Sequence, residues 1–208
     1  EFGTIQLEFK YLAHHTKQRK YWDVADKLMR LVEAERRPSG LFPTFLNPRT
    51  GKFSNNKFTL GALADSFYEY LVKQWLITNK QETYLRELFD RAMLGVAQKM
   101  VHRSDPSGLA YIGDLNGDSV VHKMDHLACF AGAMLMIGAQ DGHAYAAEYV
   151  ALAERIGETC YQMYVRTVSG LAAATHSRRK SGRDLTLSCS RLGSSVSCSS
   201  TVRLVPAG

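Results

Sequence analysis

The chain has 208 residues, of which 45% are apolar and 10% are aromatic, a composition typical of a folded domain with an ordinary core. No run of about 18 apolar residues occurs, so we predict no membrane span, and residues 1–12 lack the basic start and apolar block of a signal peptide. The formal charge of +6 is concentrated from Thr175 onward, and the nearly neutral remainder predicts no nucleic-acid binding.

The first hundred residues predict helices, with one ambiguous segment. The opening stretch TIQLEFKYL alternates apolar and polar side chains, which by periodicity alone is typical of a strand. After residue 20, apolar side chains recur at helical steps, and residues 82–100 also suit a helix. The predicted stripe consists of Tyr21, Val24, Ala25, Leu28, Leu31 and Val32.

The second half predicts helices at residues 124–139 and 145–163, preceded by a hairpin. Asn116-Gly117 separates two short β-prone runs, and this dipeptide is typical of two-residue hairpin loops. The same segment is no calcium-binding EF-hand loop, because its glycine falls at position four instead of six.

The last part of the chain has a different composition. Residues 172–208 are rich in serine and arginine, contain no aromatic residue and sustain no apolar period. Such a sequence buries too little apolar surface to offset its chain entropy. We therefore predict one domain over residues 1–171 and a disordered tail over residues 172–208.

The stretch GALADSFYEYLVKQWL places Asp65 and Glu69 one helical turn apart among aromatic and apolar side chains. One interpretation is a capping box, in which Ser66 caps the helix and Glu69 reaches back to the cap. The other is a functional pair, because paired carboxylates in a cleft have separated pKa values that suit acid and base catalysis. The local sequence leaves both interpretations open.

For the histidines and cysteines, too, the local sequence leaves more than one role open. His122 and His126 are spaced H-x-x-x-H, but no glutamate follows the first histidine, so we predict no zinc-protease site. His126 by itself suits a hydrogen-bonded core residue as well as a binding residue. Cys129 and Cys160 lie in the patterned part of the chain, and their number does not decide between free thiols and a disulfide.

Two blocks, GALADSFYEYLVKQWL and KMDHLACFAG, together resemble glycoside hydrolase family 47, the class I processing α-1,2-mannosidases. Further blocks follow in that family's order: TIQLEF, GLFPTFLNPRTGKF, GLAYIGDL and ETCYQMY. The resemblance extends from residue 1 to about Leu171. It implies an all-α chain, a fragment of an (α/α)7 barrel with short β-hairpins, and it makes TIQLEF a helix.

The resemblance also implies a chemistry. Members of the family remove terminal α-1,2-linked mannose from high-mannose N-glycans with inversion, which needs one carboxyl group as acid and another to activate water. Asp65 matches one of the family's catalytic carboxylates, and Glu8, Glu69 and His126 match residues of the sugar pocket. The resemblance implies a bound Ca²⁺ whose ligand is expected outside this chain, so no metal ligand is predicted here.

Further implications concern subtype and compartment. Leu63 matches the residue that contacts the oligosaccharide, and an apolar residue there favours broader trimming, whereas Asp125 is more similar to the endoplasmic reticulum subgroup. Cys129 and Cys160 match the family's disulfide. A disulfide implies the lumen of the secretory pathway, either endoplasmic reticulum or Golgi.

The resemblance is partial, because the blocks that carry the family's other catalytic carboxylates do not occur in this sequence. The chain alone is therefore expected to show little or no mannosidase activity. The alternative is a non-catalytic, mannosidase-like glycan-binding protein of glycoprotein quality control. We rank it second, because those proteins lack the cysteine pair and the KMDHLACF pattern.

Overall fold

The computed structural model describes residues 2–178 and 185–187. These residues form six α-helices and eight short strands. The described residues divide into two compact units, one within residues 2–59 and 63–99 and the other within residues 60–62 and from residue 100 onward. The division predicted from composition, at residue 171, is a different one and stays a prediction.

The first unit is mainly helical. Its elements are α1 (Gln6–Thr16), α2 (Arg19–Ala34), β1 (Lys57–Phe58), α3 (Asp65–Ile77) and α4 (Thr83–Lys99). Helix α1 packs on α2 and on α3, and α3 packs on α4. Within α2 the buried residues are Ala25, Met29 and Val32, whereas Val24 and Leu31 of the predicted stripe are exposed.

Helix α1 agrees with the helix implied by the family resemblance and not with the strand typical of its alternating pattern. It buries Gln6, Lys10 and Ala13, while Tyr11 and Leu12 are exposed. The buried face follows steps of four and three, as a helix requires. Two of its three members are polar, so an analysis of apolar spacing misses the helical period.

The charged ammonium group of Lys10 is buried, and an ion pair compensates its charge. Its side chain is 1% exposed, and its ammonium group binds the carboxylate of Glu82, just before α4. The Lys10 Nζ atom also lies 4.7 Å from the centre of the Trp22 ring, within range of a cation–π interaction. Burial lowers the pKa of Lys10, and the hydrogen bond and charge of Glu82 oppose that shift.

The second unit combines short strands with two helices. Its strands are β2 (Val101–Arg103), β3 (Ala110–Ile112), β4 (Asp114–Asn116), β5 (Ser119–Val121), β6 (Lys123–Asp125), β7 (Thr175–Arg178) and β8 (Leu185–Leu187), and its helices are α5 (Ala131–Gly138) and α6 (Ala146–Val165). The pairs β2–β3 and β4–β5 are antiparallel, and α5 packs on α6.

The β4–β5 hairpin confirms the predicted turn but shifts it by one residue. Asn116 pairs with Ser119, so the loop consists of Gly117 and Asp118 instead of Asn116 and Gly117. Gly117 has φ +61°. A positive φ at the first loop residue and not at the second, Asp118, is typical of a type II′ turn, which favours glycine at the first position.

The helix predicted over residues 124–139 is only partly correct. Strand β6 ends at Asp125, and a 3-10 helix follows at His126–Phe130 before α5 begins. The Asp125 side chain caps the 3-10 helix by accepting a hydrogen bond from the Leu127 N–H at 3.3 Å. The pairing of β6 with β7 is a long-range contact, so local apolar spacing does not reveal it.

Strands also occur in the segment predicted as a disordered tail. β7 pairs antiparallel with β6, and β8 pairs antiparallel with β7. At these residues the structure differs from the prediction, because backbone pairing needs no apolar period. The remaining predicted tail, residues 179–184 and 188–208, lies outside the described residues. None of the described helices has the length and apolarity needed to cross a membrane.

Candidate functional site

A cavity of about 310 Å³ opens in the first unit beside the start of α3. Residues 2–4, residues 42–46 with Pro48, and residues 63–67 line it. The lining combines phenylalanine rings and prolines with hydroxyl groups and the carboxylate of Asp65. A mainly apolar wall with a few converging polar groups is typical of small-molecule sites.

Asp65 is the first residue of α3, where Ala64 occupies the cap position and provides no side-chain cap. The capping-box interpretation is therefore wrong, since Ser66 lies inside the helix and Glu69 pairs with Lys73. Asp65 Oδ1 instead accepts a hydrogen bond from the Ser66 N–H at 2.9 Å. This contact fixes the orientation of the carboxylate at the positive end of the helix dipole.

Leu63 lies two residues before Asp65 and belongs to the same lining. Its side chain is 68% exposed, and its backbone is left-handed, with φ 81°. Residues with a Cβ atom adopt this region at a cost of roughly 1–2 kcal/mol. The structure thus places the predicted specificity residue at the cavity on a strained backbone.

Glu8 and Glu69 lie in a separate cluster of the first unit, outside the lining of the cavity. The Tyr70 hydroxyl donates a hydrogen bond to Glu8 Oε1 at 2.7 Å, and Glu69 forms its ion pair with Lys73. Burial, the hydrogen bond to Glu8 and the charges of Glu8 and Glu69 raise the pKa of Tyr70 to about 12. The Tyr70 hydroxyl therefore stays protonated at neutral pH and keeps Glu8 as its acceptor.

His126 belongs to the second unit, where it forms a cluster with two residues that the sequence analysis did not identify. Its Nε2 atom lies 2.7 Å from the Tyr164 hydroxyl, and its backbone N–H donates to the Ala174 carbonyl at 2.8 Å. His176, on β7, is buried. Burial and the charge of His126 lower the pKa of His176, which favours its neutral form.

A disulfide joins Cys129 to Cys160, as the family resemblance implies, across a sequence separation of 31 residues. His126 precedes Cys129 by three residues in the 3-10 helix, and Tyr164 follows Cys160 by four residues in α6. Residues at these separations share a helix face with the cysteines. The disulfide therefore brings the faces that carry His126 and Tyr164 together.

We expect removal of this disulfide to destabilise the second unit by roughly 3–4 kcal/mol, the loop entropy of a cross-link of this length. Calorimetric unfolding of the chain with Cys129→Ala and Cys160→Ala is the measurement. The unsubstituted chain treated with a reductant should show the same loss. Recovery of both cysteines as free, alkylated thiols after non-reducing digestion would contradict the bond.

Over the described residues, no three histidine, cysteine or acidic side chains are grouped to hold a metal ion. His122 contacts the Tyr111 hydroxyl through Nδ1 at 2.6 Å, whereas His126 contacts Tyr164. These described residues alone do not fit the Ca²⁺ site that the resemblance implies, and the ligand expected outside this chain stays a prediction.

Comparisons with known proteins identify the family to which this chain is similar. The sequence model of glycosyl hydrolase family 47 matches residues 1–194. A mannosyl-oligosaccharide alpha-1,2-mannosidase IA of Drosophila melanogaster is 42% identical over 172 residues, which cover 82% of this chain and 26% of the relative. The endoplasmic reticulum mannosyl-oligosaccharide 1,2-alpha-mannosidase of Homo sapiens is 39% identical over 174 residues, covering 83% of this chain and 25% of that protein.

A solved structure gives the fold. The alpha-1,2-mannosidase from Trichoderma reesei superposes with a TM-score of 0.78 at 22% identity, covering 88% of this chain and 39% of that protein. This likeness confirms the predicted fold class, part of an α/α barrel with short strands. The chain spans about a quarter of the length of the two curated relatives. Since the family model matches nearly the whole sequence, the chain belongs to glycosyl hydrolase family 47.

Proposed function

We propose that this chain is part of an enzyme that hydrolyses terminal α-1,2-linked mannose from high-mannose N-glycans, with Asp65 as a catalytic carboxylate. The observation that carries the proposal is the position of Asp65 in a cavity of about 310 Å³ with aromatic and hydroxyl side chains. The names of the relatives, mannosyl-oligosaccharide 1,2-alpha-mannosidases, support this substrate class.

Asp65 contributes a fixed proton-transfer group to this reaction. The Ser66 N–H holds one carboxylate oxygen, and the dipole of α3 favours the ionised form. Inverting hydrolysis needs a second carboxyl group about 6.5–9.5 Å away, with room for a water molecule between the two. In this proposal the second group comes from outside the chain, and Leu63 contacts the glycan. The proposal also retains His126, in the second unit, as a sugar-binding residue.

The acids of the second cluster have supporting roles in the proposal. Glu8, held by the Tyr70 hydroxyl, and Glu69, paired with Lys73, bind sugar hydroxyls or the water around them. Their ordered hydrogen bonds suit such binding, because charged acceptors form stronger hydrogen bonds than neutral ones.

The proposed setting is the lumen of the secretory pathway. The Cys129–Cys160 disulfide suits an oxidising compartment, and one relative carries the endoplasmic reticulum in its name. The choice between endoplasmic reticulum and Golgi belongs to the proposal. Ca²⁺ is a proposed cofactor of the complete enzyme, where it would contact the bound sugar, and none of the steps assigned to these residues depends on it.

A chimeric protein, called the graft below, tests the proposal. Residues 1–171 replace the matching segment of the Drosophila melanogaster relative, and the purified graft is incubated with high-mannose N-glycans. We expect release of mannose that is initially the β-anomer, as inversion requires, whereas the 208-residue chain alone releases none. A folded graft that binds the glycan without hydrolysing it would contradict the proposal and favour the non-catalytic alternative.

A further inference from the structure

Four phenylalanines line the Asp65 cavity, and three of them form its wall. The Phe2 and Phe67 ring centres lie 5.6 Å apart, and those of Phe42 and Phe67 lie 5.1 Å apart. Phe42 and Phe67 are buried. These three rings thus pack against one another in tilted and edge-to-face arrangements.

The fourth ring, that of Phe45, is more exposed to solvent than the buried rings of Phe42 and Phe67. It lines the cavity but is 51% exposed, and within the described residues no other aromatic ring packs on it. A large apolar side chain gains free energy when a ligand removes its surface from water. Phe45 therefore presents a half-exposed apolar ring in the same cavity as the Asp65 carboxylate.

The backbone that carries Phe45 is held on both sides. Its N–H donates to Asn55 Oδ1 at 3.4 Å, and its carbonyl accepts from the Ser54 N–H at 2.9 Å. Asn55 also donates from Nδ2 to Thr44 Oγ1 at 2.7 Å, and Leu46 forms a bridge with Phe53. A ring presented from fixed backbone loses less entropy on binding a ligand than a ring on a mobile loop.

From these observations we propose that Phe45 is a substrate-positioning residue, whose ring stacks on a pyranose ring of the glycan while Asp65 faces the glycosidic bond. Hexoses suit this contact, because one face of the ring presents C–H groups and the edge presents hydroxyls. The Phe45 ring takes the apolar face, and polar groups of the cavity take the hydroxyls. This inference rests on the proposed function and adds a binding contact to it.

The test uses the 208-residue chain and α-1,2-mannobiose as the probe. Binding is measured by calorimetric titration, and saturation-transfer NMR identifies the sugar protons that contact the protein. We expect Phe45→Ala to weaken binding about five- to tenfold, equivalent to losing roughly 40–60 Å² of apolar contact. It should also reduce the transfer to sugar C–H protons.

Two further variants test whether the effect is specific to an aromatic ring at position 45. Phe45→Tyr retains the ring and should restore binding to within about twofold of the unsubstituted chain. Tyr11→Ala removes a comparably exposed ring, 65% exposed and on α1 of the same unit, and should leave the affinity unchanged. Thermal unfolding of each variant confirms that the fold is intact.

The outcomes separate this inference from the proposed function. If the chain binds mannobiose, Asp65→Ala abolishes binding and Phe45→Ala leaves the affinity unchanged, the assignment of Phe45 is overturned and the proposed function stands. If the unsubstituted chain does not bind mannobiose, the sugar-binding cavity and the role of Phe45 are both overturned. Weakened binding by Phe45→Ala with restoration by Phe45→Tyr supports the inference.

Discussion

Replacing Asp65 with asparagine in the active graft is expected to lower the rate of mannose release by about 10²- to 10⁴-fold. This is the usual contribution of one positioned proton-transfer group. Asparagine has almost the same shape and retains an oxygen that can accept the hydrogen bond from the Ser66 N–H, but it does not exchange a proton at neutral pH. We therefore expect kcat to decrease by this factor and KM to change little.

The control for this prediction is Asp23→Asn. Asp23 is an exposed carboxylate of α2 that pairs with Arg19, and it lies outside the lining of the cavity. Its replacement should leave both kinetic constants unchanged. An Asp65→Asn graft with unchanged kcat and a raised KM would mean that Asp65 only binds the sugar, which contradicts the catalytic assignment.

Lys10→Ala is expected to destabilise the first unit by about 3–5 kcal/mol, because it leaves the Glu82 carboxylate buried without its charged partner. The Lys10 side chain is 1% exposed and that of Glu82 is 13% exposed, so water compensates little of the loss. The chain's two tryptophans, Trp22 and Trp75, both belong to this unit. Urea unfolding followed by tryptophan fluorescence therefore measures the effect directly.

Two comparisons isolate the role of the buried charge. Replacing both partners, Lys10→Met with Glu82→Gln, should cost much less than Lys10→Ala, since no uncompensated charge remains. Arg19→Ala breaks an ion pair whose side chains are 84% and 58% exposed, and it should cost only about 0–1 kcal/mol. Equal losses for Lys10→Ala and Arg19→Ala would show that the Lys10–Glu82 pair is effectively solvated.

The sequence predicted the helices best where apolar residues carry the helical period. Helix α4 (Thr83–Lys99) agrees with the prediction for residues 82–100, and α6 (Ala146–Val165) with that for residues 145–163. Helix α1 could not be predicted from apolar spacing, because its buried face contains the polar residues Gln6 and Lys10, and the charge of Lys10 is paired with Glu82, 72 residues later. Strand β6 is not predicted by local spacing either, because its partner strand β7 lies about 50 residues later.

The candidate site was predictable only in part. The family resemblance singled out Asp65, which lies in the cavity with Leu63. Sequence reasoning did not identify Tyr70 and Tyr164. Each is singled out only by a hydrogen bond to a residue distant in sequence, Glu8 for Tyr70 and His126 for Tyr164. Local sequence patterns do not reveal such contacts. Phe45 was a loop residue within a recognised block, and only its exposed position in the cavity distinguishes it from the buried phenylalanines.

The left-handed backbone at Leu63 has an evolutionary consequence. Glycine or asparagine would relieve part of the conformational cost there, whereas β-branched side chains would add to it. In the role proposed for Leu63, any substitution that changes glycan preference therefore also changes the stability of the fold. Under that proposal, natural variation at residue 63 is expected to reflect two selective pressures, the preferred glycan and the conformational cost of the left-handed backbone.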